Sequence, residues 1–128
     1  MRLSPEAEGC NVLTSAELDM EIAVYVMKAH LQGQQPFEFW VTDDDERIAT
    51  KAVWRPTKNA NQMFRAAEEL RKLGWLMVIN TEYQFVAFYR QGGPARAEGR
   101  YETYAGIAKA ACEAMFKALR WDREHSNG

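Results

Sequence analysis

The stretch WLMVINTEYQFVAFYR, Trp75 to Arg90, decides the fold. Its alternation predicts two strands, Trp75 to about Asn80 and Phe85 to about Arg90, joined by a polar turn at Thr81-Glu82. On the first strand Trp75, Met77 and Ile79 share one face, and Leu76 and Val78 the other. On the second, Phe85, Ala87 and Tyr89 oppose Val86 and Phe88. Apolar residues on both faces predict that other elements pack on both sides of this hairpin.

Working outward, Gly74 suits a left-handed cap that closes a helix reaching back to about Asn59. Its buried face is expected to carry Ala60, Met63, Phe64, Ala67 and Leu70, and its solvated face Arg65, Glu68, Glu69, Arg71 and Lys72. Thr57 and Asn59 are the candidate N-caps. Further back, Phe37–Val41 and Ile48–Trp54 read as a second hairpin around the acidic turn Asp43-Asp44-Asp45-Glu46. Before it, Thr14-Ser15-Ala16-Glu17 forms a capping box for a helix running to about Leu31 and ending before Gly33. Leu18, Ile22, Tyr25, Val26 and Ala29 are its expected buried stripe. Beyond the central hairpin, Gln91 to Arg100 holds Gly92-Gly93-Pro94 and Gly99 and reads as a flexible loop. A last helix is expected from about Thr103 to Trp121, with Tyr104, Ile107, Ala108, Ala111, Met115 and Leu119 inward.

The order is therefore α-ββ-α-ββ-α, an α+β class. The expected architecture is a layered α/β/α sandwich, three helices around a small, mostly antiparallel sheet. Residues 1–13 read as a flexible leader, 14–121 as the single domain and 122–128 as a polar tail.

At 128 residues, 47% hydrophobic and 27% charged, the composition is that of one ordinary globular domain. No apolar run approaches the roughly 18 residues of a membrane span, and the first ten residues lack a signal-peptide core. A cytoplasmic setting and no membrane partner are expected. Cys10 and Cys112 fit no metal or redox spacing, and Cys112 reads as a small buried hydrophobe. Charge is unevenly spread: residues 1–46 carry −8 and the remainder +6, for a net −2. Such asymmetry marks candidate interaction surfaces.

Site chemistry is sparse. His30 and His125 have no nearby ligand partners, so no metal is expected. The acidic turn lacks the glycine and the final acid of a calcium loop. Gly92-Gly93-Pro94 is not followed by Lys-Ser/Thr, and no Gly-x-Ser-x-Gly elbow occurs, so no cofactor and no enzyme activity are expected. Tyr83–Phe88 overlaps the aromatic end of the RNA-recognition signature but lacks its leading basic residue and glycine.

Several packing motifs are similar to those of the phage ABA-sandwich domain family, small phage and prophage proteins of unknown function. They are Val26-Met27, Trp54-Arg55-Pro56-Thr57-Lys58-Asn59, Ala66-Ala67-Glu68-Glu69-Leu70-Arg71 before Gly74, Val86-Ala87-Phe88-Tyr89, and Gly106–Ala114. The likeness covers roughly residues 16–31 and 54–119 and departs at Lys28-Ala29, where the family usually has glycine and tryptophan. It implies a phage origin, a bacterial host cytoplasm and the layered fold, and it transfers no catalytic residue.

Two functional expectations follow. The first is a non-enzymatic phage accessory protein that binds another macromolecule, such as a host protein or defence system to be inhibited. Its contact surface would be Phe39, Trp40, Asp43, Asp44, Asp45 and Glu46, with charge steering and rings anchoring. The alternative is a nucleic-acid-binding module that uses the hairpin aromatics with Arg90, Arg96 and Arg100. Should Leu76, Val78 or Trp40 remain exposed in the monomer, a homodimer would cover them.

Overall fold

The computed structural model describes residues 13–125; the leader up to residue 12, with Cys10, and the last three residues lie outside them. The elements are α1 (Ser15–Glu21) running into a π turn (Ile22–Val26), β1 (Ala29–Gln32), β2 (Phe39–Thr42), β3 (Arg47–Thr50) and α2 (Ala60–Lys72). There follow β4 (Trp75–Asn80), β5 (Phe85–Arg90), β6 (Arg96–Arg100), a 3-10 turn (Tyr104–Gly106) and α3 (Ile107–His125). The fold is α+β, with two three-stranded antiparallel sheets ordered β1-β2-β3 and β4-β5-β6.

Local chemistry sets most boundaries. Thr14 Oγ1 accepts the Glu17 amide at 3.1 Å, and the Glu17 carboxylate returns to the Thr14 amide at 2.8 Å. Asn59 caps α2 by accepting from the Gln62 amide at 3.0 Å. Gly74, at φ +96°, turns the chain from α2 into β4. In the acidic turn, Thr42 Oγ1 accepts the amides of Asp44 and Glu46, and Asp45 takes a left-handed φ of 65°.

The first helix is shorter than its pattern predicts. The Met27 amide reaches back to the Ile22 carbonyl at 3.0 Å, a five-residue spacing that widens the last turn, and Lys28 at φ 56° ends it. The branched and aromatic run Ile22–Val26 weakens α-helix there. In consequence Tyr25 turns outward, and Ala29 and His30 lie on strand β1 rather than at a helix end. Trp54 lies past the end of β3 and is buried, donating its indole N–H to the Asp19 carbonyl at 2.9 Å.

Three further differences shape the surface. Arg96–Arg100, expected within a flexible loop, is strand β6, paired Phe85↔Arg100 to Tyr89↔Arg96. Residues 122–125, expected in a polar tail, complete α3, where Asp122 accepts from Trp75 Nε1 at 2.9 Å and from Arg90 at 2.8 Å. Tyr104, expected inward, is exposed on the 3-10 turn.

The core is one cluster. Val86, Phe88 and Trp75 on the inner face of the second sheet meet Met63, Ala66 and Leu70 of α2 and the alanine-rich face of α3. Helix α3 lies over β5 and β6, α2 beside β4, and the π turn against β1. Cys112 is fully buried, and that burial pushes its thiol well above the ordinary range, so it packs as a small hydrophobe. The Trp75 and Trp121 rings meet edge to face at 6.0 Å.

Asp19 is the buried charge of this core. Its Oδ1 accepts the Thr57 amide at 2.9 Å, tying α1 to the loop before α2. Burial raises its pKa above the ordinary 3.8, opposed by that hydrogen bond. A carboxyl raised on folding stabilises the fold below its unfolded pKa, and that contribution is lost as pH rises through the folded value. Asp19→Asn keeps the acceptor without the charge. Its unfolding free energy at neutral pH should therefore equal or exceed wild type, with a flatter pH profile above about 3.8. Urea titrations across that range check this; a variant clearly less stable at neutral pH would show the charge itself to be needed.

Candidate functional site

The β4–β5–β6 register places three rows across the outer face of the second sheet. They are Leu76–Tyr89–Arg96, Val78–Ala87–Glu98 and Asn80–Phe85–Arg100. No described helix covers this face: Leu76 and Val78 are 43% and 42% exposed. The cover expected on both sides of the hairpin is present on one side only.

The arginines organise this face. The Arg96 guanidinium lies 5.0 Å from the Phe85 ring and 5.4 Å from the Tyr89 ring. Its Nε donates to the Tyr89 hydroxyl at 3.0 Å. Arg100 lies 6.0 Å from Phe85. Glu98, between the two arginines in the strand, pairs with both, at 2.8 Å to Arg100. Two aromatic rings, two guanidiniums and one carboxylate thus share a solvent-facing surface with a local excess of positive charge.

Of the residues expected to contact nucleic acid, Arg96 and Arg100 meet aromatics on the outer face, Phe85 and Tyr89, and Arg90 does not. Arg90 pairs in register with Trp75 on the inner face, where it binds Asp122 at 2.8 Å and lies 5.6 Å from the Trp75 ring. Its role is structural. Strand parity decides this, because Arg90 and Arg96 stand on opposite faces of neighbouring strands. Glu98, Leu76 and Val78 complete the surface, and no motif marks them for it; the alternation of charge in Arg96-Ala97-Glu98-Gly99-Arg100 is the signal that reveals Glu98, and the alternation of β4 the one that puts Leu76 and Val78 on a common face.

The acidic surface is less complete than expected. Asp43, Asp44 and Asp45 are exposed and make no ion pair among the described residues, but Glu46 is taken by Arg65 of α2. Phe39 is half-buried beneath the Arg47 guanidinium at 3.8 Å. Trp40 is 4% exposed and belongs to the core. The expected ring anchors beside the carboxylates are therefore covered.

A cleft of about 290 Å³ opens beside α1, lined by Asp19, Trp40, Trp54, Lys51, Arg55 and Lys58. Its volume stands at the lower bound of the roughly 300–1,000 Å³ of ordinary ligand sites. Most of its polar groups already serve the fold: Asp19 holds Thr57 and Trp54, Arg55 donates to the Ala52 carbonyl, and Lys51 pairs with Glu38. Among the described residues no cluster of His, Cys, Asp and Glu is arranged to hold a metal ion. Nor is any described helix long and apolar enough to cross a membrane. Comparison of the chain with family models, curated proteins and solved structures returns no match.

Proposed function

We propose that this protein is a non-enzymatic phage accessory protein that acts by binding a macromolecule, and that the outer face of β4–β5–β6 is where it binds. The ligand that fits this face is single-stranded nucleic acid. The observation that carries the reading is the placement of Phe85, Tyr89, Arg96 and Arg100 together on one uncovered face. Aromatic rings on a middle strand offer stacking surfaces to bases, and flanking guanidiniums offer charge to phosphates and planes for further stacking. The phage setting rests on the sequence motifs quoted above.

Charge sets the character of the binding. With a net charge of −2 the protein has no long-range pull on a polyanion, so contact is short-ranged and stacking carries most of it. Two arginines engage on the order of two phosphates, at a slope of about −0.7 in log K per log salt for each on a single strand. Fluorescence anisotropy with labelled single-stranded RNA and DNA at two salt concentrations should show micromolar binding with a shallow salt slope near −1.4. Duplex of the same sequence should bind far more weakly. No salt-sensitive signal with either single strand at micromolar protein would remove the reading.

A protein partner with a basic face is the second reading, favoured by the unpaired carboxylates of Asp43, Asp44 and Asp45. An inhibitor whose carboxylates stand in for phosphates is one form of it. Changing all three to Asn should sharply weaken capture of such a partner from host lysate at low salt; undiminished capture would count against this surface.

A further inference from the structure

We propose that this chain forms a symmetric dimer in which β4 pairs edge to edge, antiparallel, with β4 of a second copy, joining two three-stranded sheets into one. Strand β4 stands at the edge of its sheet. Among the described residues, β5 is the only strand paired with it. In an antiparallel ladder alternate residues turn their N–H and C=O groups away from the partner, so β4 presents a row of unpaired donors and acceptors.

The two edges of this sheet are treated differently by the sequence. Monomeric proteins guard an edge strand with charge, proline, a bulge or short length. Strand β6, Arg96-Ala97-Glu98-Gly99-Arg100, carries three charged residues and a glycine. Strand β4, Trp75-Leu76-Met77-Val78-Ile79-Asn80, is six residues long with no charge and no proline, and its register with β5 is unbroken. Of the two edges of this sheet, β4 is the one that the described residues leave open to addition of a strand.

A second copy is the occupant this edge suits. About a two-fold axis each side chain near the axis meets its own counterpart, so any charge on β4 would face a like charge. An uncharged, apolar strand has no such penalty. Leu76 and Val78, both exposed, would be flanked by the same residues of the second copy. Beside β4 runs an open groove floored by Phe64, Ala67, Trp75, Leu76 and Met77 and rimmed by the Glu68–Arg71 ion pair, and the exposed Phe64 ring of the second copy's α2 would close over it. That helix contact is needed, because a stable interface buries roughly 1,200 Å² or more, beyond what one strand pair supplies. With the axis normal to the sheet, both outer faces stay on one side and form one continuous platform. The dimer does not depend on what that platform binds.

Sedimentation equilibrium of the full chain at micromolar concentration tests this directly. The expected result is a species of twice the 14.7 kDa chain mass. Leu76→Lys and Val78→Lys each put a charge where the monomer is already wet, so each should sediment at the chain mass with an unchanged far-ultraviolet circular dichroism spectrum. In the wild type, amide hydrogen exchange along Leu76–Ile79 should be uniformly slow, with outward amides protected like inward ones. A wild-type species at the chain mass overturns the proposal. So does a dimer that survives both lysine changes with the fold intact, or fast exchange of alternate β4 amides in the dimer. Nucleic-acid binding is read separately, so loss of either property leaves the other measurable.

Discussion

Gly99→Ala is expected to cost about 3 kcal/mol or more, a large share of the roughly 5–15 kcal/mol that holds a domain of this size together. A Cβ at this position would lie 2.0 Å from the Ala110 carbonyl oxygen, 2.8 Å from its carbon and 3.1 Å from its Cα. All three atoms are α3 backbone, so no side-chain rotation relieves the overlap. The helix would have to lift away from β6. Ala110, Ala111, Ala114 and Ala118 would then lose the close packing that their small side chains allow, because interiors pack at crystal-like density. At several degrees per kcal/mol, the melting temperature should fall by on the order of 10 °C or more. Gly93→Ala is the control: its Cβ would meet only Arg90 Cγ at 3.8 Å, an ordinary contact. That variant should melt within a few degrees of wild type. If both variants melt alike in thermal circular dichroism, α3 does not bear on Gly99 as described.

The same glycine explains why part of the fold was hidden in the sequence. Strands β4 and β5 announce themselves because Trp75, Met77, Ile79, Val86 and Phe88 are large and alternate, and their limits are those the pattern predicts. The caps at Thr14 and Asn59 and the turn at Gly74 are equally legible, since each follows from one side chain or its lack. Strand β6 has the alternation of a strand, but its inward residues are Ala97 and Gly99, kept small by the approach of α3. A hydrophobic periodicity cannot see a strand whose buried face is built from absent side chains. Strand β1 is hidden for another reason: the π turn shifts the helical register, and the left-handed Lys28 restarts the chain just where the apolar spacing continues.

The candidate site inherits that blindness. Arg96 and Arg100 stand out as charges, yet their meeting with Phe85 and Tyr89 exists only through the β5–β6 register. Without β6, Arg90 looks equivalent to them, although parity sends it to the inner face and to Asp122. Apolar residues on both sides of β4 predict burial on both sides. The structure buries one side and leaves the other as an uncovered face beside an unguarded edge, and this links the platform to the dimer. A surface of alternating rings and guanidiniums tolerates water better than a purely aliphatic one, which is how the face persists uncovered.

Replacing both Phe85 and Tyr89 with Ala is expected to weaken binding of single-stranded nucleic acid by roughly 30-fold or more. Each ring offers stacking worth about 1–3 kcal/mol per base, so two rings supply at least about 2 kcal/mol. The loss should exceed that sum, because Arg96 is held by both rings and by the Tyr89 hydroxyl. Without them only the existing ion pair with Glu98 holds the guanidinium, and it is no longer presented in register with a stacking surface. Stability should change little by comparison, since both rings lie on the uncovered face while Val86 and Phe88 carry the core contacts of β5. Arg96→Gln and Arg100→Gln separate the two contributions: each should lower the magnitude of the salt slope by about 0.7 while leaving the stacking contribution in place. Anisotropy titrations of the ring variant and the two glutamine variants at matched salt check both statements. If the ring variant binds like wild type while its circular dichroism is unchanged, bases do not stack on this face, and the protein's ligand must be sought at the acidic turn.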